Sequence, residues 1–120
     1  MRLTTVQRMF DESSIPQADA AECLRLIEEE RAQLIDVREQ KEWNALHVRG
    51  STHLPMSSVN DWYEDLDKKQ PLLLLCRSGQ RSQRIAEALW GQANMTNVIN
   101  VAGGIEAWIA DGYEVDRPAT

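Results

Sequence analysis

The chain has 120 residues, enough for a single hydrophobic core, and its 13 basic and 19 acidic side chains leave a net charge of −6. The acidic balance argues against nucleic acids and anionic membranes as partners. No apolar run reaches the roughly 18 residues of a membrane helix. With two cysteines, two histidines and neither a C-x-x-C nor an H-x-x-x-H spacing, there is no disulfide framework and no metal-site signal.

Residues 1–14 are polar and weakly patterned, and read as an N-terminal extension, mobile or helical. They lack the apolar centre of a signal peptide, so the expected compartment is the cytoplasm, where thiols stay reduced. Ser14-Ile15-Pro16 reads as a short strand or turn opening the domain. From Asp19 to about Arg31 the spacing is helical, with Ala20, Cys23, Leu24 and Ile27 on one side and Asp19 as the N-cap or a first-turn acid. Cys23 lies on the apolar stripe and reads as a small core side chain. Gln33-Leu34-Ile35-Asp36-Val37-Arg38 is the next strand, followed by one or two helical turns over Glu39–Trp43. Gly50–Leu54 reads as a short strand stopped by Pro55. Ser57 or Ser58 is a candidate cap for a helix to Leu66, with Val59, Trp62 and Leu66 inward.

Leu72-Leu73-Leu74-Leu75 has no period-two alternation, which is the pattern of a strand buried on both faces in a parallel sheet. It ends at Cys76. Six mainly polar or flexible residues follow, and from Arg81 the pattern is helical, with Ile85, Ala88 and Leu89 on one face and Gln83, Arg84 and Glu87 free to face water. Val98–Val101 is the last strand, and Gly103-Gly104 turns into a helix with Ile105, Trp108 and Ile109 inward, ended by Gly112. Strands alternating with helices imply an α/β fold with a mainly parallel sheet and helices on both faces. Right-handed crossovers place the loops after Val37, Cys76 and Val101 on one rim. Residues 15–116 form one domain and 117–120 a tail.

Cys76 therefore sits at a strand–loop–helix junction, where open α/β sheets bind ligands. A helix N-terminus points backbone N–H groups at one spot, and Arg77, Arg81 and Arg84 add charge nearby. A cysteine in that setting reacts as its thiolate, and the amides stabilise an anion attached to the sulfur. The competing reading is a core cysteine ending a strand. Gly79 lets the loop turn where a Cβ would clash.

Three separated motifs resemble those of single-domain rhodaneses. The first is Leu34-Ile35-Asp36-Val37-Arg38-Glu39 with Glu42-Trp43, His47-Val48-Arg49-Gly50-Ser51 and Leu54-Pro55. The second is Cys76-Arg77-Ser78-Gly79-Gln80-Arg81-Ser82. The third is Val101-Ala102-Gly103-Gly104-Ile105-Glu106-Ala107-Trp108. The resemblance runs from about Ile15 to Val115. It implies a rhodanese-like three-layer α/β/α fold with a five-stranded, mainly parallel sheet. It also implies a sulfurtransferase without a cofactor, in which Cys76 takes sulfur from a small anionic donor such as thiosulfate. The persulfide would pass to cyanide or to a thiol acceptor such as thioredoxin, glutathione or a sulfur-carrier protein. Cys76 is then catalytic, and Arg77, Ser78, Gly79, Gln80, Arg81 and Ser82 form the substrate and persulfide loop.

Two other readings stand beside this one. A non-catalytic regulatory module would keep the fold and bind a partner. A small phosphatase or arsenate reductase would use C-x5-R, but the arginine here is Arg81 and the required position is Ser82. The ring is one residue short, and suits a sulfur atom better than a tetrahedral phosphate. Asp36 and Arg38 either orient substrate at the rim or tie loops together through charge-assisted bonds, with Arg38 reaching Glu42. His47 is a candidate base for Cys76 or a structural hydrogen-bond partner. Arg49 reads as solvated, and Trp43, Trp62, Trp90 and Trp108 read as core.

Overall fold

A strand of four leucines has no side that tolerates water, so it belongs at the centre of a covered sheet. In the computed structural model, which describes residues 15–118, Leu72 to Leu75 are each 0% exposed. They form β4 (Leu72–Leu75), flanked by β2 (Gln33–Asp36) and β5 (Val98–Val101). β1 (Gln17–Ala18) and β3 (Thr52–His53) close the edges, giving the order β1-β5-β4-β2-β3 with every pairing parallel.

The alternation of β4 divides the core in two. Leu72, Leu74 and Cys76 join Ile35, Val98, Trp62, Ile85 and Leu89 on one face. Leu73 and Leu75 join Leu34, Cys23, Leu26, Ile105 and Trp108 on the other. The second face is covered by α1 (Ala20–Glu30) and α5 (Gly104–Ala110). The first is covered by α3 (Val59–Trp62) and α4 (Gln80–Gln92), while the short α2 (Gln40–Ala45) buries no residue and lies at the rim. This is the expected α/β architecture. Parallel strands bring Val37, Cys76 and Ala102 to one edge, each just past the end of its strand.

Local details depart from the sequence reading for identifiable reasons. Leu24 is 39% exposed, and Ala20, Cys23 and Leu26 are the buried residues of α1. Ile109 of α5 is 37% exposed, and in α4 Ala86 is buried in place of Ala88. In each case the misassigned residue lies about 100° round the helix from its stripe, one residue's rotation. Asp19 does cap α1, accepting a hydrogen bond from the Glu22 amide at 2.9 Å. Neither Ser57 nor Ser58 caps α3 through its side chain. Ser58 donates its hydroxyl to Pro55 O, and tight 3₁₀ turns at Met56–Ser58 and Tyr63–Asp65 bracket α3. β3 is shorter than expected because Gly50 (φ +84) turns, with Ser51 N donating to Val48 O. The extension at residues 1–14 lies outside the described residues, as do positions 119 and 120.

The Gly103-Gly104 pair is more than a turn. Gly104 has φ +61, and a Cβ there would sit 2.5 Å from the carbonyl atoms of Cys76 and Arg77. That closeness lets Ile105 N donate to Cys76 O at 2.8 Å and Glu106 N to Arg77 O at 3.1 Å. The first amides of α5 thus clamp the start of the Cys76 loop. Gly104→Ala is expected to destabilise the fold by about 2–4 kcal/mol, from left-handed strain plus backbone overlap. Denaturant unfolding of the variant against the parent protein checks this.

Candidate active site

Cys76 follows the last residue of β4, and the chain must reverse into α4 within three residues. Gly79 makes that turn at φ +98, a left-handed conformation in which L side chains are strained, while its missing Cβ leaves room beside Gly103 N. The turn points donors inward. Cys76 Sγ accepts hydrogen bonds from Gly79 N at 3.1 Å, Ser82 N at 3.4 Å and Ser82 Oγ at 3.2 Å. The residue is 1% exposed and Ser82 is 0% exposed. Burial pushes the thiol up. The hydroxyl of Ser82 and the amides of Ser82, Gly79 and Ser78 outweigh it together and hold the thiol below its ordinary value.

The loop arginines are not aimed at the sulfur. Arg81 makes a two-pronged pair with Glu42 of α2, at 2.7 and 2.8 Å. Arg77 uses Nε on Glu106 at 2.9 Å and is 70% exposed. Ser78 and Gln80 are exposed. On the outer side of the loop, a cleft of about 580 Å³ is walled by Ser78, Gly79, Gln80, Gln83, Arg84 and Asn100. Cys76 is buried and is not among its lining residues.

Asp36 and Arg38 form a buried pair, 0% and 4% exposed. Arg38 N and Nε donate to Asp36 Oδ1 at 2.9 and 3.0 Å, and Nη2 bonds Oδ2 at 2.8 Å and Leu46 O at 2.7 Å. The expected Arg38–Glu42 contact is replaced by this pair, because Glu42 is committed to Arg81 and to the Glu39 amide. His47 is held by a 3.0 Å contact between Nδ1 and Trp43 O and by stacking on the Trp43 ring at 3.8 Å. Trp43 also stacks against His53, with ring centroids 4.8 Å apart, and is half-buried; Trp62 and Trp108 are core. Arg49 is solvated but pairs with Asp116 at 2.8 Å.

Two features of the site escaped the sequence reading. Glu42 was read as a partner for Arg38, and its pairing with Arg81 had no local signal, because the two lie 39 positions apart. Asn100 did carry one, as a polar residue inside the apolar strand Val98–Val101. It is 4% exposed and accepts from Ser82 Oγ at 2.6 Å. Among the described residues, no group of three or more His, Cys, Asp or Glu is placed to hold a metal, and no helix is long and apolar enough to cross a membrane.

The profile of the Rhodanese-like domain matches residues 19–111. The chain belongs to the rhodanese-like family. Thiosulfate sulfurtransferase GlpE of Pseudomonas entomophila is 38% identical over 79 residues, covering 66% of this chain and 72% of that protein. The crystal structure of a rhodanese-related protein from Thermoplasma volcanium superposes with a TM-score of 0.72 at 27% identity, covering 84% of this chain and 97% of that one. A rhodanese-like domain protein from Staphylococcus aureus superposes equally well, TM-score 0.72 at 26% identity, over 88% of this chain and 100% of its own.

Two outcomes test the supports of this rhodanese site. Arg38→Met strands the Asp36 carboxylate without its ion partner and is expected to cost about 3–5 kcal/mol in urea unfolding, with Asp36→Asn/Arg38→Met recovering much of it. The Arg81 guanidinium, with a smaller opposing effect from burial, pushes the Glu42 carboxyl down from 4.5 to about 2. A depressed carboxyl adds stability that is full above its unfolded value and is lost as pH falls through the folded one. Stability measured between pH 4.5 and about 2 is therefore expected to fall less steeply in Glu42→Gln than in the parent. The difference is modest, because both partners are about a third exposed.

Proposed function

We propose that this rhodanese-family sulfurtransferase moves a sulfane sulfur from thiosulfate or another persulfide-level donor to cyanide or a thiol, through a persulfide on Cys76. The observation that carries the reading is the set of donors converging on one buried sulfur at the head of α4. In the first half-reaction the Cys76 thiolate attacks the outer sulfur of the donor. An Sγ–S bond forms, the donor S–S bond breaks, and sulfite leaves with the electron pair. In the second, the acceptor attacks the outer sulfur and Cys76 departs as thiolate. Each step is a displacement at sulfur, and a preformed thiolate needs no general base.

The loop residues divide the remaining work. The amides of Ser78, Gly79 and Ser82 face the sulfur and meet the charge of the persulfide and the departing group, while Gln80 and Arg81 carry the loop into α4. Arg77 keeps both terminal nitrogens for an incoming anion, since Glu106 engages only Nε. Arg81 serves chiefly as a strut to Glu42, and Asp36, Arg38 and His47 support the rim. Acceptors of the right chemistry include thioredoxin, glutathione and sulfur-carrier proteins in the cytoplasm. The short loop and its inward amides favour this chemistry over phosphoryl transfer.

Incubation with excess thiosulfate is expected to raise the intact mass by about 32 Da, one sulfur atom, reversed by dithiothreitol and absent in Cys76→Ser. An unchanged mass under saturating thiosulfate, persulfide donors and polysulfide would overturn the proposal.

A further inference from the structure

Asn100, itself buried, stands in the middle of a polar chain that no step above requires. Its Nδ2 donates to Gly79 O at 3.2 Å and to Gln17 Oε1 at 2.9 Å, and its Oδ1 faces Ser82 Oγ at 2.6 Å. Ser82 Oγ in turn lies 3.2 Å from Cys76 Sγ. The amide orientation is determined by chemistry. A backbone carbonyl only accepts, so the NH₂ must face Gly79 O and the oxygen must face Ser82.

A carbonyl oxygen at 2.6 Å also only accepts, so Ser82 must give it a hydrogen. The hydroxyl has one hydrogen and two claimants. With a neutral thiol there is no conflict, since Cys76 S–H donates to Ser82 Oγ and Ser82 donates to Asn100. With a thiolate, the hydrogen turns to sulfur and two oxygens face each other with nothing between them. In the persulfide the charge moves to the outer sulfur, and the hydrogen can return to Asn100.

We infer that Asn100 is a positioning residue that competes with Cys76 for the single Ser82 hydrogen, and so favours the thiol and the persulfide over the free thiolate. Its effect on transfer rests on the reading in the preceding section; its effect on ionisation does not. By this competition Asn100 leaves the resting sulfur less stabilised as an anion, hence more nucleophilic when loading and a poorer leaving group when unloading.

The test is a pH titration of the ultraviolet thiolate absorbance. Burial pushes the other thiol, Cys23, up to about 12, outside the window. Asn100→Val, a residue suited to a strand, is expected to lower the midpoint of the titration, with a roughly threefold to tenfold larger thiolate-to-thiol ratio at a given pH. Ser82→Ala is expected to raise it, and in that background Asn100→Val is expected to change nothing. A midpoint unmoved or raised by Asn100→Val overturns the inference. So does a shift that persists without Ser82, which would mean that Asn100 acts through Gly79 or packing alone. The infrared S–H band of the parent at low pH, taken as the difference from Cys76→Ser, tests the resting arrangement even if the strand variant fails to fold. A hydrogen-bonded thiol supports the inference, and a free one overturns it. In rapid-mixing assays above both titration midpoints, where either protein is fully thiolate, Asn100→Val is expected to raise the ratio of sulfur-release to sulfur-loading rates. Failure of the parent to load sulfur would sink the sulfurtransferase mechanism and leave the titration result standing.

Discussion

An anion can persist behind a closed loop only if dipoles replace the water it has lost. Here a cysteine that is nearly inaccessible to solvent receives two backbone amides and a hydroxyl. Most other features of the rim make that geometry possible. β4 delivers the sulfur, Gly79 reverses the chain, α4 brings Ser82 underneath, and α5 holds the outgoing carbonyls. The donors are fixed by the fold before any charge forms, so little reorganisation accompanies ionisation.

The surrounding charges have a different job. Three arginines follow the cysteine within eight positions, and local composition suggests a positively charged pocket. Glu42 and Glu106 neutralise the first two loop arginines in the folded protein. The pairs brace the loop against α2 and α5. The potential at the sulfur therefore comes from amides a few ångströms away, which solvent and salt screen far less than exposed ions. This matches the overall acidity of the chain, in which Arg25, Arg38, Arg49, Arg77 and Arg81 each pair with a carboxylate.

What the sequence made legible was whatever has a local pattern. An unbroken run of four leucines identified the central strand, and the abrupt change at Cys76 identified the loop. The alternation of elements identified a parallel sheet, whose geometry then put the loop ends on one edge. Side-chain partners had no such pattern. Arg38 had two carboxylates in plausible reach, Asp36 and Glu42, and only the competing claim of Arg81 decides between them. Helix faces failed at Leu24, Ala88 and Ile109, where a hydrophobic residue one position off the stripe looks the same in sequence as one on it. Asn100 was visible as an anomaly in β5 but not interpretable, since its meaning lies in Ser82, which reaches it from another element.

The clamp from α5 ties two distant parts of the chain to one event. The amides of Ile105 and Glu106 are hydrogen-bonded to the carbonyls of Cys76 and Arg77, so the loop cannot swing outward without breaking both bonds. Solvent exchange of those two amides is then a clock for how often the Cys76 sulfur is uncovered. A partner that grips the C-terminal helix would slow that clock without ever touching the sulfur.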